Sequence, residues 1–186
     1  MEQFRLDPTL YTGAPEVCNE TKGRCYAALE ALHIPFTRAE HTPADTIALC
    51  HQVETLLGAQ ICKNLFLCNR QKTKYYLLLL KGDQVFHTKD LSAQLGCARL
   101  SFGDSAAMER YLGTRPGSAS VLGLLWDKEN AVQLVIDKKI REQTYIGCHP
   151  CDNTATLKLA MSDLLDKYLP FVAHEPIFVD LPEEDA

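Results

Sequence analysis

Asn64-Leu65-Phe66-Leu67-Cys68, Asn69-Arg70-Gln71-Lys72-Thr73-Lys74 and Tyr75-Tyr76-Leu77-Leu78-Leu79-Leu80 follow one another without a break. Two short apolar runs around a polar stretch predict a hairpin of strands. The runs are nearly continuous rather than alternating, so both faces of the hairpin are expected to be covered. Such a pair belongs at the centre of a sheet.

Upstream, Cys25, Ala28, Leu29 and Leu32 fall on one stripe of a helix over 20–33 that Pro35 stops. A short strand over 36–40 follows. Asp45 or Thr46 then caps a second helix with Ile47, Cys50, Val53 and Leu57 on one face, ended by Gly58.

Downstream, helices are expected over 89–95 and 105–112, and strands near 98–102, 121–126 and 132–136. Over 154–159 strict alternation puts Ala155, Leu157 and Leu159 toward the core and Thr154, Thr156 and Lys158 on a polar face available to a ligand. A last helix over 161–169 ends at Pro170. Strands and helices interleave without a regular βαβ rhythm, so the expected class is a single α/β or mixed α+β domain.

The 186 residues suit one domain, and 46% hydrophobic with 23% charged residues excludes collagen-like and wholly disordered chains. A net charge of −5 argues against a generally basic nucleic-acid coat, though not against local basic spots. The longest apolar run, 75–80, falls far short of the roughly 20 residues of a membrane helix. With no secretory layout at 1–5, a cytoplasmic protein is expected. Glu183-Glu184-Asp185 reads as a frayed acidic tail. Eight scattered cysteines in a chain of this length read as reduced thiols.

Signatures of phosphate loops, dinucleotide sites, zinc proteases and serine hydrolases are absent. Cys148-His149-Pro150-Cys151 is a C-x-x-C that elsewhere serves thiol exchange or half a zinc site. Here it precedes a strand instead of opening a helix, and no second close ligand pair accompanies it, so no metal or cofactor is expected. Lys63 stands at the head of an apolar strand, where an ammonium is costly unless paired. Thr114-Arg115-Pro116-Gly117-Ser118-Ala119-Ser120 is either a plain turn or a loop offering N–H groups to an oxyanion. Arg70, Lys72 and Lys74, and separately Lys138, Lys139 and Arg141, form two basic spots.

Three segments together narrow the reading. Lys63-Asn64-Leu65-Phe66-Leu67, the loop from Pro116 through Ser118 to Leu124, and Gly147-Cys148-His149-Pro150 with Asn153-Thr154-Ala155-Thr156 resemble, in order and spacing, the YbaK/prolyl-tRNA synthetase editing-domain family. Glu40-His41-Thr42-Pro43 extends the resemblance, which runs over 20–172 and is nearest to freestanding alanyl-tRNA(Pro) deacylases. Residues 1–19 are then an N-terminal extension and 173–186 a C-terminal tail. Val121 stands where many relatives carry Pro, and Cys151-Asp152 matches no family role.

The resemblance implies a curved mixed sheet flanked by helices, with a pocket for the aminoacylated 3′ end of tRNA(Pro). The reaction is hydrolysis of the ester of mischarged Ala-tRNA(Pro), with prolyl-tRNA synthetase an optional partner and neither DNA nor membrane involved. Lys63 would hold the terminal nucleotide, and N–H groups of Gly117, Ser118 and Gly123 would face the oxyanion. Asn64 would hold the substrate or ribose, while His149, Asn153, Thr154 and Thr156 would border the acceptor end. Arg70, Lys72, Lys74, Lys138, Lys139 and Arg141 would contact tRNA electrostatically. Alternatives are a deacylase for Cys-tRNA(Pro) or other small mischarged residues, a non-catalytic tRNA- or synthetase-binding module, and a zinc or redox module on Cys148 and Cys151.

Overall fold

The hairpin lies in the middle of a sheet. A computed structural model describes residues 4–44 and 46–183, and for Ile47 the backbone only. Asp45 as a cap, Ile47 as a core side chain and the acidic end at Glu184 and Asp185 lie outside the described residues. In chain order the first elements are β1 (Leu6–Thr12), α1 (Glu20–Ala31), β2 (Thr37–His41), α2 (Ile47–Leu57), β3 (Cys62–Cys68), β4 (Tyr75–Lys81) and α3 (Thr88–Leu95). Next come β5 (Ser101–Phe102), α4 (Ser105–Leu112), a 3-10 helix (Val121–Leu125), β6 (Val132–Asp137) and α5 (Lys138–Arg141). The chain continues with β7 (Tyr145–Cys148), β8 (Ala155–Ala160), a composite last helix and β9 (Ile177–Val179).

The strands form two sheets, ordered β1-β2-β8-β7 and β5-β3-β4-β6-β9. The first is antiparallel throughout. The second is mixed, because β4 pairs antiparallel with β3 but parallel with β6, which pairs parallel with β9. One parallel bridge, Ile61 to Gly147, joins the sheets, and Gly147 N–H donates to Gln60 O at 2.7 Å. A Cβ at Gly147 would stand 3.0 Å from that carbonyl, so glycine permits this approach.

The unbroken apolar run of β4 has a direct cause. Leu77 and Leu79 face the main core with Phe66, while Leu78 and Leu80 face a second core with Leu67 and Leu91. α1 starts at an Asn19 cap accepting from Lys22 N–H at 2.9 Å and ends earlier than expected, with His33 in the left-handed region. α2 is capped by Thr46 and closed by Gly58 at φ 61°, and its Val53 and Leu57 join Ala39 and Ile61 in a third apolar cluster.

Several expectations are corrected. The strand expected at 121–126 is the 3-10 helix: the Ser120 hydroxyl caps it by accepting from Leu122 N–H, and all five of its residues are buried. A short apolar run does not by itself distinguish a buried strand from a buried helical turn. Of the strand expected at 98–102 only the exposed edge pair β5 forms. The last helix runs past Pro170 to Phe171, because a π-helical stretch (Leu164–Tyr168) is followed by a final turn (Leu169–Phe171) near whose start Pro170 needs no N–H partner. β1, β7 and β9 are additional strands; β1 lies within 1–19 and pairs with β2, and β9 lies within 173–183 and pairs with β6.

Candidate active site

Past the Ile61–Gly147 bridge the chains run in the same direction but pair with other strands, β3 with β4 and β7 with β8. The residues two steps on, Lys63 and His149, therefore lie on opposite sides of the seam between the sheets. A cleft of about 330 Å³ opens there. Cys62, Lys63 and Asn64 line it from β3, Gly117 and Ala119 from the loop before the 3-10 helix, and His149 from the end of β7. The opposite wall is α2 with the turn before it, contributing Thr46, Cys50, His51 and Glu54.

Lys63 is half-buried, and its ammonium donates to Gln84 O at 2.8 Å. No other partner stands within bonding distance among the described residues, so two of its three N–H donors are open to a ligand. Burial lowers the Lys63 pKa from its ordinary value, and the Asp83 carboxylate works against that shift. Asn64 donates to Cys62 O at 3.0 Å, while its side-chain oxygen is buried without a partner among the described residues.

Gly117 has φ +88°, and the space around its missing Cβ is open, so the loop passes the cleft at a position a side chain would strain and obstruct. The Gly117 N–H is without a partner among the described residues. Ser118 and Gly123, expected beside it, are placed differently. The Ser118 N–H closes a turn onto Arg115 O, and Gly123 lies inside the 3-10 helix with its N–H on Ser120 O. A Cβ on Gly123 would stand 2.8 Å from Leu112 O, so this glycine serves packing against α4.

His149 Nδ1 lies 2.9 Å from Ala155 O, and His41 Nδ1 lies 2.9 Å from Thr42 O. A carbonyl only accepts, so both rings carry hydrogen on Nδ1 and present a lone pair at Nε2. The Thr156 hydroxyl donates to His41 Nε2 at 2.9 Å and stands 3.4 Å from His149 Nδ1, linking the two rings. Thr156 is completely buried, so the polar strand face expected to meet a ligand instead supports His149 from behind. Thr154 is turned to Asp152, and Asn153 lies in the β7–β8 turn away from the cleft wall. Asp152 ties that turn to α1 through Asn19 Nδ2 at 3.0 Å and the buried Lys22 ammonium at 3.7 Å.

Burial depresses both His149 and His41 below the ordinary value of 6.5, and at His149 the neighbouring His41 adds to the effect while the Ala155 carbonyl opposes it. Both rings are therefore neutral at pH 7. A pH–rate profile is expected to be flat with respect to His149 at neutral pH and to fall only as pH drops through a value below 6.5. The unfolded chain binds the extra protons first, so these histidines also subtract stability as pH falls below about 6.5. An acid limb centred above pH 7, absent from a His149→Ala variant, would contradict the neutral ring.

The basic spots separate. Arg70, Lys72 and Lys74 sit at the far end of the hairpin, roughly 20 Å from Lys63 at about 3.3 Å per residue, and Lys72 is paired with Asp104 at 2.7 Å. Lys138, Lys139 and Arg141 lie at the Lys63 end, since Leu80 pairs with Lys63 on one side and Leu79 with Ile136 on the other. Lys139 is held by Asp180 at 3.3 Å, and the Arg141 guanidinium lies over Phe178 at 4.3 Å. Cys148 and Cys151 are buried and unpaired; burial pushes the Cys148 thiol up, and contact with Cys25 together with burial does the same for Cys151. Among the described residues no three metal-binding side chains come together.

A family model described as an aminoacyl-tRNA editing domain matches residues 41–167. The chain belongs to this aminoacyl-tRNA editing domain family. It is 32% identical over 145 residues to the prolyl-tRNA editing protein ProX of Acetoanaerobium sticklandii, covering 78% of this chain and 88% of that one. It is 31% identical to the prolyl-tRNA synthetase associated domain-containing protein 1 of Mus musculus, covering 87% of this chain and 97% of the mouse protein. Among solved structures, a candidate trans-editing enzyme for prolyl tRNA synthetase superimposes with a TM-score of 0.67 at 17% identity, over 90% of this chain and all of that one, a likeness of fold. As an aminoacyl-tRNA editing domain the chain acts on the ester of an aminoacyl-tRNA, and the cleft between the sheets is its candidate active site. Residues not anticipated as part of the site are His41, which supports His149 through Thr156, and the α2 wall. His41 was visible in the sequence only as part of Glu40-His41-Thr42-Pro43.

Proposed function

We propose that this editing domain is a freestanding deacylase that hydrolyses Ala-tRNA(Pro). The observation that carries the reading is the convergence of Lys63, Asn64, Gly117 and His149, from three distant stretches of chain, on one cleft. A synthetase pocket that holds proline cannot refuse alanine by size, and a missing methylene is worth only about 1–3 kcal/mol. A second, narrower site that admits a methyl group and refuses a pyrrolidine ring supplies the missing discrimination.

The ester is activated, so water suffices as nucleophile. Lys63 fixes the terminal nucleotide by charge and position, with Gln84 O orienting its ammonium. Asn64 receives a donor from the amino acid or ribose. The Gly117 N–H is the remaining loop donor for the oxyanion, since those of Ser118 and Gly123 are occupied. His149 offers its neutral Nε2 to the acceptor end. The tRNA flanking the cleft crosses the α5 end of the sheet, where Lys138 adds positive charge, and binding weakens as salt rises. Unpaired thiols suit a reducing compartment, and we place the protein in the cytoplasm.

The test is release of labelled amino acid from Ala-, Cys- and Pro-tRNA(Pro). Alanine release that spares proline supports the reading; faster cysteine release moves the substrate to Cys-tRNA(Pro), and binding without release leaves only a binding module. Gly117→Val is expected to lower alanine release by about tenfold or more, through misplacement of the loop. Because Gly117 is exposed, the variant should still fold. Unchanged release would remove the loop from the mechanism.

A further inference from the structure

The carbonyl that accepts from Lys63 belongs to Gln84, whose side chain bonds Pro182, 98 positions further along the chain. After β4 the chain turns through Gly82 and Asp83, with Gln84 N–H donating to Lys81 O, which brings Gln84 O back to the Lys63 ammonium. Gly82 makes this turn possible, since a Cβ there would lie 2.9 Å from Ile61 O.

The Gln84 side chain reaches Pro182. It is 4% exposed, and its Nε2 donates to Pro182 O at 3.2 Å. Its Oε1 is buried without a partner among the described residues. An unsatisfied buried oxygen is costly, and a methionine of similar volume would fill the same space without it. The opposite amide orientation is worse, because it would set Oε1 against the Pro182 carbonyl. Packing alone therefore does not account for a glutamine at this position.

The segment that Gln84 grips is firmly anchored beyond β9. Leu181 N–H donates to the fully buried Asp137 carboxylate at 3.0 Å, and Lys139 bonds Leu181 O at 2.5 Å. Asp180 is bound through both N–H and C=O to the exposed Gln94 side chain, at 2.8 and 2.6 Å. Leu181 is buried in the second core.

We propose that residues 180–182 form a strap that sets the position of Lys63 through Gln84, making Gln84 a positioning residue of the editing site. The proposal rests on the reading of Lys63 given above. A loosened strap frees the Gly82–Gln84 turn, and the ammonium loses the one acceptor that orients it.

The test uses the full chain with Gln84→Met, which keeps volume but removes the amide, and Gln94→Met, which loosens the strap at the surface far from the cleft. Lys63→Ala serves as reference. Two quantities are read: alanine release from Ala-tRNA, and the rate at which a water-soluble amine-reactive ester labels Lys63, located by mass spectrometry. For Gln84→Met the expected result is a kcat about tenfold lower with KM little changed, faster labelling of Lys63 and a melting temperature near that of the natural chain. Gln94→Met is expected to show a smaller change in the same direction. Unchanged labelling and kcat in both variants, with Lys63→Ala inactive, overturns the strap and leaves the role of Lys63 standing. Faster labelling with Lys63→Ala still active supports the strap as a holder of Lys63 and overturns the catalytic reading instead.

Discussion

Lys63→Ala is expected to lower alanine release from Ala-tRNA(Pro) by about 10²- to 10³-fold, the range for removing one preorganised electrostatic contact from a water-poor site. The side chain is half-buried and among the described residues its ammonium makes one hydrogen bond, to Gln84 O. Among the described residues lining the cleft Lys63 is the one lysine or arginine, and His149 is neutral at pH 7. Lys63→Met should behave like alanine although it retains the apolar stem, because charge and reach carry the effect. Lys63→Arg should not rescue, since a planar fork does not place a donor where the ammonium sits between Gln84 O and the cleft. Thermal unfolding should change little, because the lysine desolvates a charge for a single bond. Single-turnover release with natural and variant protein decides the matter. A loss under about threefold, well below the size of a positioning contact, would mean that Lys63 is not the residue that fixes the ester.

The largest effect on stability is expected at Asp127, distant from the cleft. Its carboxylate is 3% exposed and accepts from Ala131 N–H at 2.9 Å, Val132 N–H at 2.7 Å and the buried His174 ring at 2.9 Å. It thereby joins the start of β6 to the turn after the last helix. Burial works to raise this carboxyl, but the hydrogen bond from His174 and those from the two backbone groups more than offset it and hold it below its ordinary value. Asp127→Ala leaves two buried N–H groups and a buried histidine without their acceptor, and about 3–5 kcal/mol is expected to be lost, as for other broken buried pairs. Urea unfolding should show a lower midpoint at unchanged slope. Asp127→Asn should recover part of the loss, because one oxygen remains to accept.

The pH dependence of that contribution follows from the direction of the shift. A carboxyl whose folded value is depressed contributes fully above its unfolded value of about 3.9, and the contribution is lost as pH falls through the lower folded value. The natural chain should therefore lose stability in acid more steeply than Asp127→Asn. Parallel acid limbs would show that folding leaves the Asp127 carboxyl at its ordinary value.

Much of the architecture was legible locally. The central hairpin is readable because both faces of β4 are buried, which leaves an unbroken run of leucines. α4 spans 105–112 as its periodicity indicates, capped by Asp104 and closed by Gly113. Other elements could not be read. The run at 121–125 is apolar on every side, and a capping serine and a glycine against α4 make it helical. β9 is three residues long and gains its identity from the strand beside it. The residue types at the site were also legible, since a lysine heading an apolar strand, a Pro-Gly loop and a histidine before Pro150 each break a local pattern.

By itself, then, the sequence determined which segments are strands and helices wherever burial leaves a period or an unbroken run, and which residues stand out against that pattern. The tertiary structure alone decided which of them meet. Lys63 and His149 are 86 positions apart, and they face one cleft because a glycine at 147 lets β7 touch the chain at Ile61 for a single bridge before the sheets diverge. It also decided that Thr156 and His41 stand behind His149, that the Gly123 N–H closes a helical turn, and that the side chain of Gln84, whose carbonyl accepts from Lys63, reaches Pro182. Periodicity reports only whether a side chain is buried. Which other side chain it meets depends on long-range strand pairing and close backbone approach, and these leave no local trace.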